Sequence, residues 1–157
     1  MKVDSINPFI ESVYELFETM IGTSLKRGDI AVSEVPSKHC EVTAMIGMSG
    51  AIRGTVALAF PVNTAISLVN KLLETDLRVM DDTITDGIAE LVNIVGGSAK
   101  AKFPVQDGAE PVALTLPTVI RGHDYKVAHT SGAVWLEVPF ESDLGGFKLR
   151  VTLQEES

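Results

Sequence analysis

Apolar residues recur at helical spacing in three stretches of the chain and alternate with polar ones in several others. Phe9, Ile10, Val13, Tyr14, Leu16, Phe17, Met20 and Ile21 return every three or four residues, which predicts an amphipathic helix. Asn7 suits its N-cap, Pro8 its first helical position, and Gly22 its close. Between residues 30 and 60 the period shortens to two. Residues 31–35 read as a short strand, and 40–48 with 52–60 flank Ser49-Gly50 as a hairpin turning over 48–51. Pro61 then opens a second helix carrying Ala65, Ile66, Leu68, Val69, Leu72 and Leu73. A third begins at Asp81-Asp82-Thr83 and runs to about Lys102, with Pro104 as its stop. After a loop at 106–108, strands are expected over 113–116, 125–128, 133–139 and 146–153, the last two joined by a turn around 142–145.

Strands that come in runs joined by tight turns, rather than singly between helices, argue for an α+β fold. The expectation is a largely antiparallel sheet with long helices packed on it, one of them exposed along a line of polar residues. No linker, charge block or low-complexity stretch divides the chain, so residues 1–157 are expected to form a single domain.

The third helix carries the most informative pattern. At about 100° per residue, Asp86, Glu90, Asn93 and Gly97 fall within a stripe roughly 60° wide. Ile88, Leu91, Val92, Val95 and Ala99 fall on the opposite side, where a core would lie. A polar line on an amphipathic helix is ordinarily its solvated face, and Asp86 has a capping reading. With Thr83 as N-cap, it takes the third helical position and completes a capping box. These accounts explain Glu90 and Asn93 less well. Asn is a mediocre helix former because its side chain competes for backbone hydrogen bonds. The face also lacks the basic partners of a solvated helix, since Lys100 and Lys102 come only at the far end. Gly96-Gly97 falls inside the same helix, where each glycine costs roughly 1 kcal/mol against Ala. The pair either admits another backbone or marks a bend.

A Glu and an Asn one turn apart can reach one target together. The carboxylate can pair with a lysine of another protein, and the carboxamide can both donate and accept hydrogen bonds to a water. They make a poor metal site and a poor nucleophile. Water orientation fits, as in phosphoryl hydrolysis where a side-chain amide aligns the attacking water.

Charge narrows the partners. A net charge of −8 argues against nucleic acid and against an anionic membrane surface, and suits docking to a positively rimmed protein. No apolar run approaches the length of a membrane span, and the N-terminal pattern contains acids where a signal peptide would not. The single cysteine, Cys40, fits a reducing compartment, so the expected location is the cytoplasm.

The spacing Asp86-x-x-x-Glu90-x-x-Asn93, with Gly97 four residues on, resembles the motif of the CheC/CheX/FliY family of chemotaxis phosphatases. Ile6-Asn-Pro-Phe9, the segment from Ser49 to Pro61 and Leu116-Pro-Thr-Val-Ile-Arg-Gly122 resemble the family in the same order, so the likeness spans the chain. It is nearest to the single-site CheX branch, because Glu11, Glu15 and Glu18 on the first helix each lack an Asn three residues on. The resemblance implies hydrolysis of the aspartyl phosphate on the response regulator CheY. By it, Asn93 would orient the water, Glu90 would pair with the regulator's phosphate-contacting lysine, and Asp86 and Gly97 would face the partner. Mg²⁺ would belong to the regulator, leaving this chain with no cofactor and no metal of its own, and the chain would form a homodimer. The alternative is a non-catalytic dimeric module of the same fold that binds a regulator or scaffold.

Other residues carry less. His39, His123 and His129 lack ligand spacing, Cys40 beside His39 points to the opposite strand face, and Asp81-Asp82 suits a helix start better than a metal. Met45, Met48 and Met80 are core candidates, and Trp135 is a core or interface candidate.

Overall fold

In a computed structural model of the chain, residues 3–33, 42–103, 108, 110–122 and 134–154 are described. The first helix, α1 (Asn7–Leu16), buries Phe9, Ile10, Val13 and Leu16 and continues through a π-helical turn, Phe17–Ile21. Gly22 closes that turn at φ 78°, in the left-handed region that glycine enters without a Cβ penalty. Asn7 is not the N-cap. A 3₁₀ turn, Val3–Ile6, has already wound the chain, so Ile6 flanks the helix without a side-chain cap and Asn7 is itself helical.

Among the described residues eight strands form the sheet: β1 (Leu25–Arg27), β2 (Ala31–Ser33), β3 (Val42–Ser49), β4 (Arg53–Phe60), β5 (Ala113–Leu114), β6 (Thr118–Arg121), β7 (Trp135–Ser142) and β8 (Gly145–Gln154). Every described pairing is antiparallel, in the order β1-β7-β8-β4-β3-β5. β2 shares the outer edge of β7 with β1, and β6 shares that of β3 with β5. The expected hairpin is β3–β4, but its ladder runs only to Met48 opposite Gly54, so the turn lies beyond Ser49 rather than over 48–51.

β1 and β6 were not among the expected strands. Both are short edge pieces, whose ladders rather than a periodic face define them. The strand expected over 113–116 ends at Leu114, because at the next rung, Thr115 opposite Gly47, the side-chain hydroxyl takes the place of the ladder carbonyl. The Thr115 N–H donates to the Gly47 carbonyl at 2.9 Å and its Oγ1 accepts from the Gly47 N–H at 2.9 Å. Pro117, which has no N–H, lies between this rung and β6. The strand expected over 125–128 lies outside the described residues, as do positions 34 and 35, Pro104 and the three histidines with Cys40.

One face of the sheet is apolar: Val42, Ala44, Ile46 and Met48 on β3, Val56, Leu58 and Phe60 on β4, Leu136, Val138 and Phe140 on β7, Phe147, Leu149 and Val151 on β8. The helices α1, α2 (Val62–Leu73) and α3 (Asp82–Lys102) close the core over it. Phe147 stacks with Phe17, Phe60 and Phe140 at centroid distances of 5.4, 5.4 and 5.2 Å. Met48 and Trp135 are buried, whereas Met45 alternates onto the other face of β3 and is half-buried. No helix among the described residues is long and apolar enough to cross a membrane.

Candidate functional site

The site candidate is one side of α3, and four attachments set that helix in place. Asp81, extended at φ −127° and ψ −174°, accepts the Ile84 N–H on Oδ1 at 3.0 Å. It is the N-cap, which overturns the pairing of Thr83 with Asp86. Thr83 is already helical, and Asp86 lies a turn too far in to reach the free N–H groups. Near α2, Gly87 lets the helices touch: a Cβ there would stand 2.6 Å from Val69 Cγ1. Near the sheet, a Cβ at Gly96 would stand 3.3 Å from Ile46 Cγ2 on β3. At the far end, Glu15 of α1 accepts from Ser98 Oγ at 3.0 Å and from Lys102 Nζ at 2.5 Å. The last turn ends at Phe103, which is extended at ψ 138°, as a residue before proline should be.

These attachments use the buried side and flanks of the helix. Ile84, Ile88, Leu91, Val92, Val95 and Ala99 are all buried to 1% exposure or less, so the rotation of α3 is fixed by the core. The polar line faces out. Asp86, Glu90, Asn93 and Gly97 are exposed, together with Lys100 further on. The structure thus brings together on one surface the four residues singled out by spacing. Among the described residues, no side-chain hydrogen bond or ion pair within the chain engages Asp86, Glu90 or Asn93.

Glu90 and Asn93 are offset by about 4.5 Å along the axis and about 60° around it. A carboxylate and a carboxamide carried that way on a fixed rod can engage two groups of one partner together. The site is convex, which suits insertion into another protein's cleft rather than enclosure of a small molecule. No group of three His, Cys, Asp or Glu residues able to hold a metal gathers among the described residues. The Glu15–Ser98–Lys102 cluster, absent from the sequence reading, joins residues 83 to 87 positions apart, a separation that leaves no local signal.

Residues 42–141, which include the whole polar line, match the family model described as chemotaxis phosphatase CheX. The chain is 31% identical over 136 residues to the CheY-P phosphatase CheX of Thermotoga maritima, covering 85% of this chain and 84% of that one. In fold it is similar to a CheC-like superfamily protein from Shewanella sp. PV-4, with TM-score 0.82, 27% identity and coverage of 98% and 99%. A CheX–CheY–BeF3–Mg²⁺ complex from Borrelia burgdorferi includes a chain of the same fold, with TM-score 0.80, 21% identity and coverage of 98% and 100%. With the family model spanning most of the chain and a relative above 30% identity, this protein belongs to the CheX family of chemotaxis phosphatases.

Proposed function

We propose that this chain hydrolyses the aspartyl phosphate of a phosphorylated CheY-type response regulator, with Asn93 and Glu90 as the inserted pair. The observation that carries the proposal is their exposure, one turn apart and without partners among the described residues, on a helix whose opposite side is locked in the core. The relative from Thermotoga maritima is a phosphatase for phosphorylated CheY, and the Borrelia burgdorferi relative was solved with CheY, BeF3 and Mg²⁺. Both make CheY the natural partner class.

In this reading the Asn93 carbonyl accepts a hydrogen bond from the attacking water and its NH₂ group steadies the phosphoryl oxygens. The water oxygen bonds to phosphorus as the bond from phosphorus to the acyl oxygen breaks, releasing phosphate and the free aspartate. Glu90 pairs with a lysine of the regulator, which fixes the approach of the two surfaces. Asp86 and Gly97 belong to the surface that meets the partner. Mg²⁺ sits with the regulator's phosphate in this scheme, and this chain contributes side chains only. A homodimer is proposed from the family resemblance, and sedimentation of the purified chain tests it.

Phosphate release from a CheY-type regulator kept phosphorylated by acetyl phosphate, with the wild type and with Asn93→Ala, tests the proposal. Acceleration by the wild type alone supports it. Binding to the phosphorylated regulator with no acceleration by either protein would make this chain a docking module instead.

A further inference from the structure

Of the glycines within α3, Gly87 and Gly96 have packing reasons, since a Cβ would press on Val69 or Ile46. Gly97 has none. Apart from its chain neighbours and the helix's own backbone, no described atom lies within 4 Å of the place its Cβ would take, and the residue is exposed on ordinary helical backbone. Glycine is nonetheless the least favourable helix-interior residue short of proline. One turn earlier stands Asn93, another poor helix former, whose side chain makes no hydrogen bond among the described residues. Two adjacent positions on one line that both disfavour the helix, and that no contact among the described residues rewards, indicate a demand from outside the chain.

The geometry specifies that demand. Gly97 follows Asn93 by about 6 Å along the axis and about 40° around it, which brings it between the azimuths of Asn93 and Glu90. Side chains on a helix lean toward its N-terminus and cover the turn before their own Cα. A side chain at position 97 would therefore overhang Asn93. Lys100, the next exposed residue on the line, leaves the place of that missing Cβ open to 4 Å. Asn is short, so its carboxamide can reach a phosphoryl group in a partner's cleft only if the partner comes close to the helix backbone.

Resting on the phosphatase reading above, we infer that Gly97 is a clearance position, whose bare backbone admits a loop of the phosphorylated regulator beside Asn93. It is a positioning residue, and substitution separates its two effects. Gly97→Ala and Gly97→Leu, with the wild type and Asn93→Ala, are compared in three measurements. These are thermal unfolding, affinity for a CheY-type regulator carrying beryllofluoride and Mg²⁺, and hydrolysis of the phosphorylated regulator. The Ala variant should unfold about 2–4 °C higher, as an unconstrained helical glycine replaced by alanine does in a chain of this size. Its affinity should nevertheless fall roughly tenfold, and that of the Leu variant further, as added volume at a close-packed contact dictates. Wild-type affinity in both Gly97 variants, with Asn93→Ala inactive, overturns the clearance role and leaves the phosphatase reading standing. No acceleration by the wild type overturns both.

Discussion

Glu15 of α1 and Lys102 in the last turn of α3 form an ion pair of 2.5 Å across the helix–helix contact, with Ser98 Oγ on the second carboxylate oxygen at 3.0 Å. Hydrogen bonds from Lys102 and Ser98 hold the Glu15 carboxyl below its ordinary pKa. Ser98 and Lys102 lie about 140° and 180° round the helix from Asn93. The lysine at the end of the informative helix thus turns away from its acids. It secures the rod and leaves Asp86 and Glu90 without a counter-charge among the described residues, which a cationic group on a partner can supply.

Asn93→Ala should reduce stimulated phosphate release by at least about 100-fold, the scale at which loss of one preorganised hydrogen-bonding group acts on a hydrolytic transition state. Stability should stay within about 0.5 kcal/mol of wild type, because an exposed side chain without partners contributes little. Urea unfolding beside the phosphate-release assay separates the two effects.

Glu90→Gln keeps the shape and removes the charge. Its expected signature is a higher KM for the phosphorylated regulator and a flatter dependence on ionic strength, since salt screens an attraction between exposed charges. Identical salt dependence in variant and wild type would remove Glu90 from the docking contact.

Gly87→Ala should behave in the opposite sense to an ordinary glycine replacement in a helix. The new methyl would stand 2.6 and 2.8 Å from the two Cγ atoms of Val69, which is fully buried and stiff at χ1. Overpacking of about 1–3 kcal/mol outweighs a helix-propensity gain of about 1 kcal/mol, so unfolding should move down by a few degrees. In a Val69→Ala background the two Cγ clashes are gone and only the Cβ at 3.2 Å remains, so the same replacement should cost less than in the wild type.

Glu137 and Arg150 face each other across β7 and β8, joined at 3.1 Å, with Lys148 Nζ on the other Glu137 oxygen at 3.0 Å. Burial alone would push the Glu137 carboxyl up, but the hydrogen bond from Lys148 and the charges of Arg150 and Lys148 outweigh it, so its pKa lies below the ordinary value. A carboxyl depressed in the folded state stabilises above its unfolded pKa of about 4.3, and that contribution is lost as pH falls through the folded value. Acid unfolding of the wild type should steepen in this window, and Glu137→Gln should flatten it. Glu137→Leu should destabilise by about 3 kcal/mol at neutral pH, because it strips a partner from an Arg150 side chain only 6% exposed.

Local pattern carried much of the architecture. The three helices and the β3–β4 and β7–β8 pairs announce themselves by period and by turn residues, and Gly22 closes its turn as its position suggests. β1 and β6 do not, because an edge strand of three or four residues is defined by the neighbour it pairs with. Caps proved less legible than helices. Asn7 and Thr83 have cap chemistry, yet a preceding 3₁₀ turn and Asp81 take those places. The stripe of Asp86, Glu90, Asn93 and Gly97 was legible because 3.6 residues per turn determines which residues share a side.

By itself, then, the sequence determined which residues of α3 would stand in line and which would face a core, since helical periodicity is a property of the backbone. Only the tertiary structure decided that the line faces outward without partners among the described residues, that Lys102 is drawn off to Glu15, and that Gly87 and Gly96 serve packing while Gly97 does not. Those outcomes depend on α1, α2 and β3, elements remote in sequence from the residues they touch, and contacts of that kind leave no periodic trace along the chain.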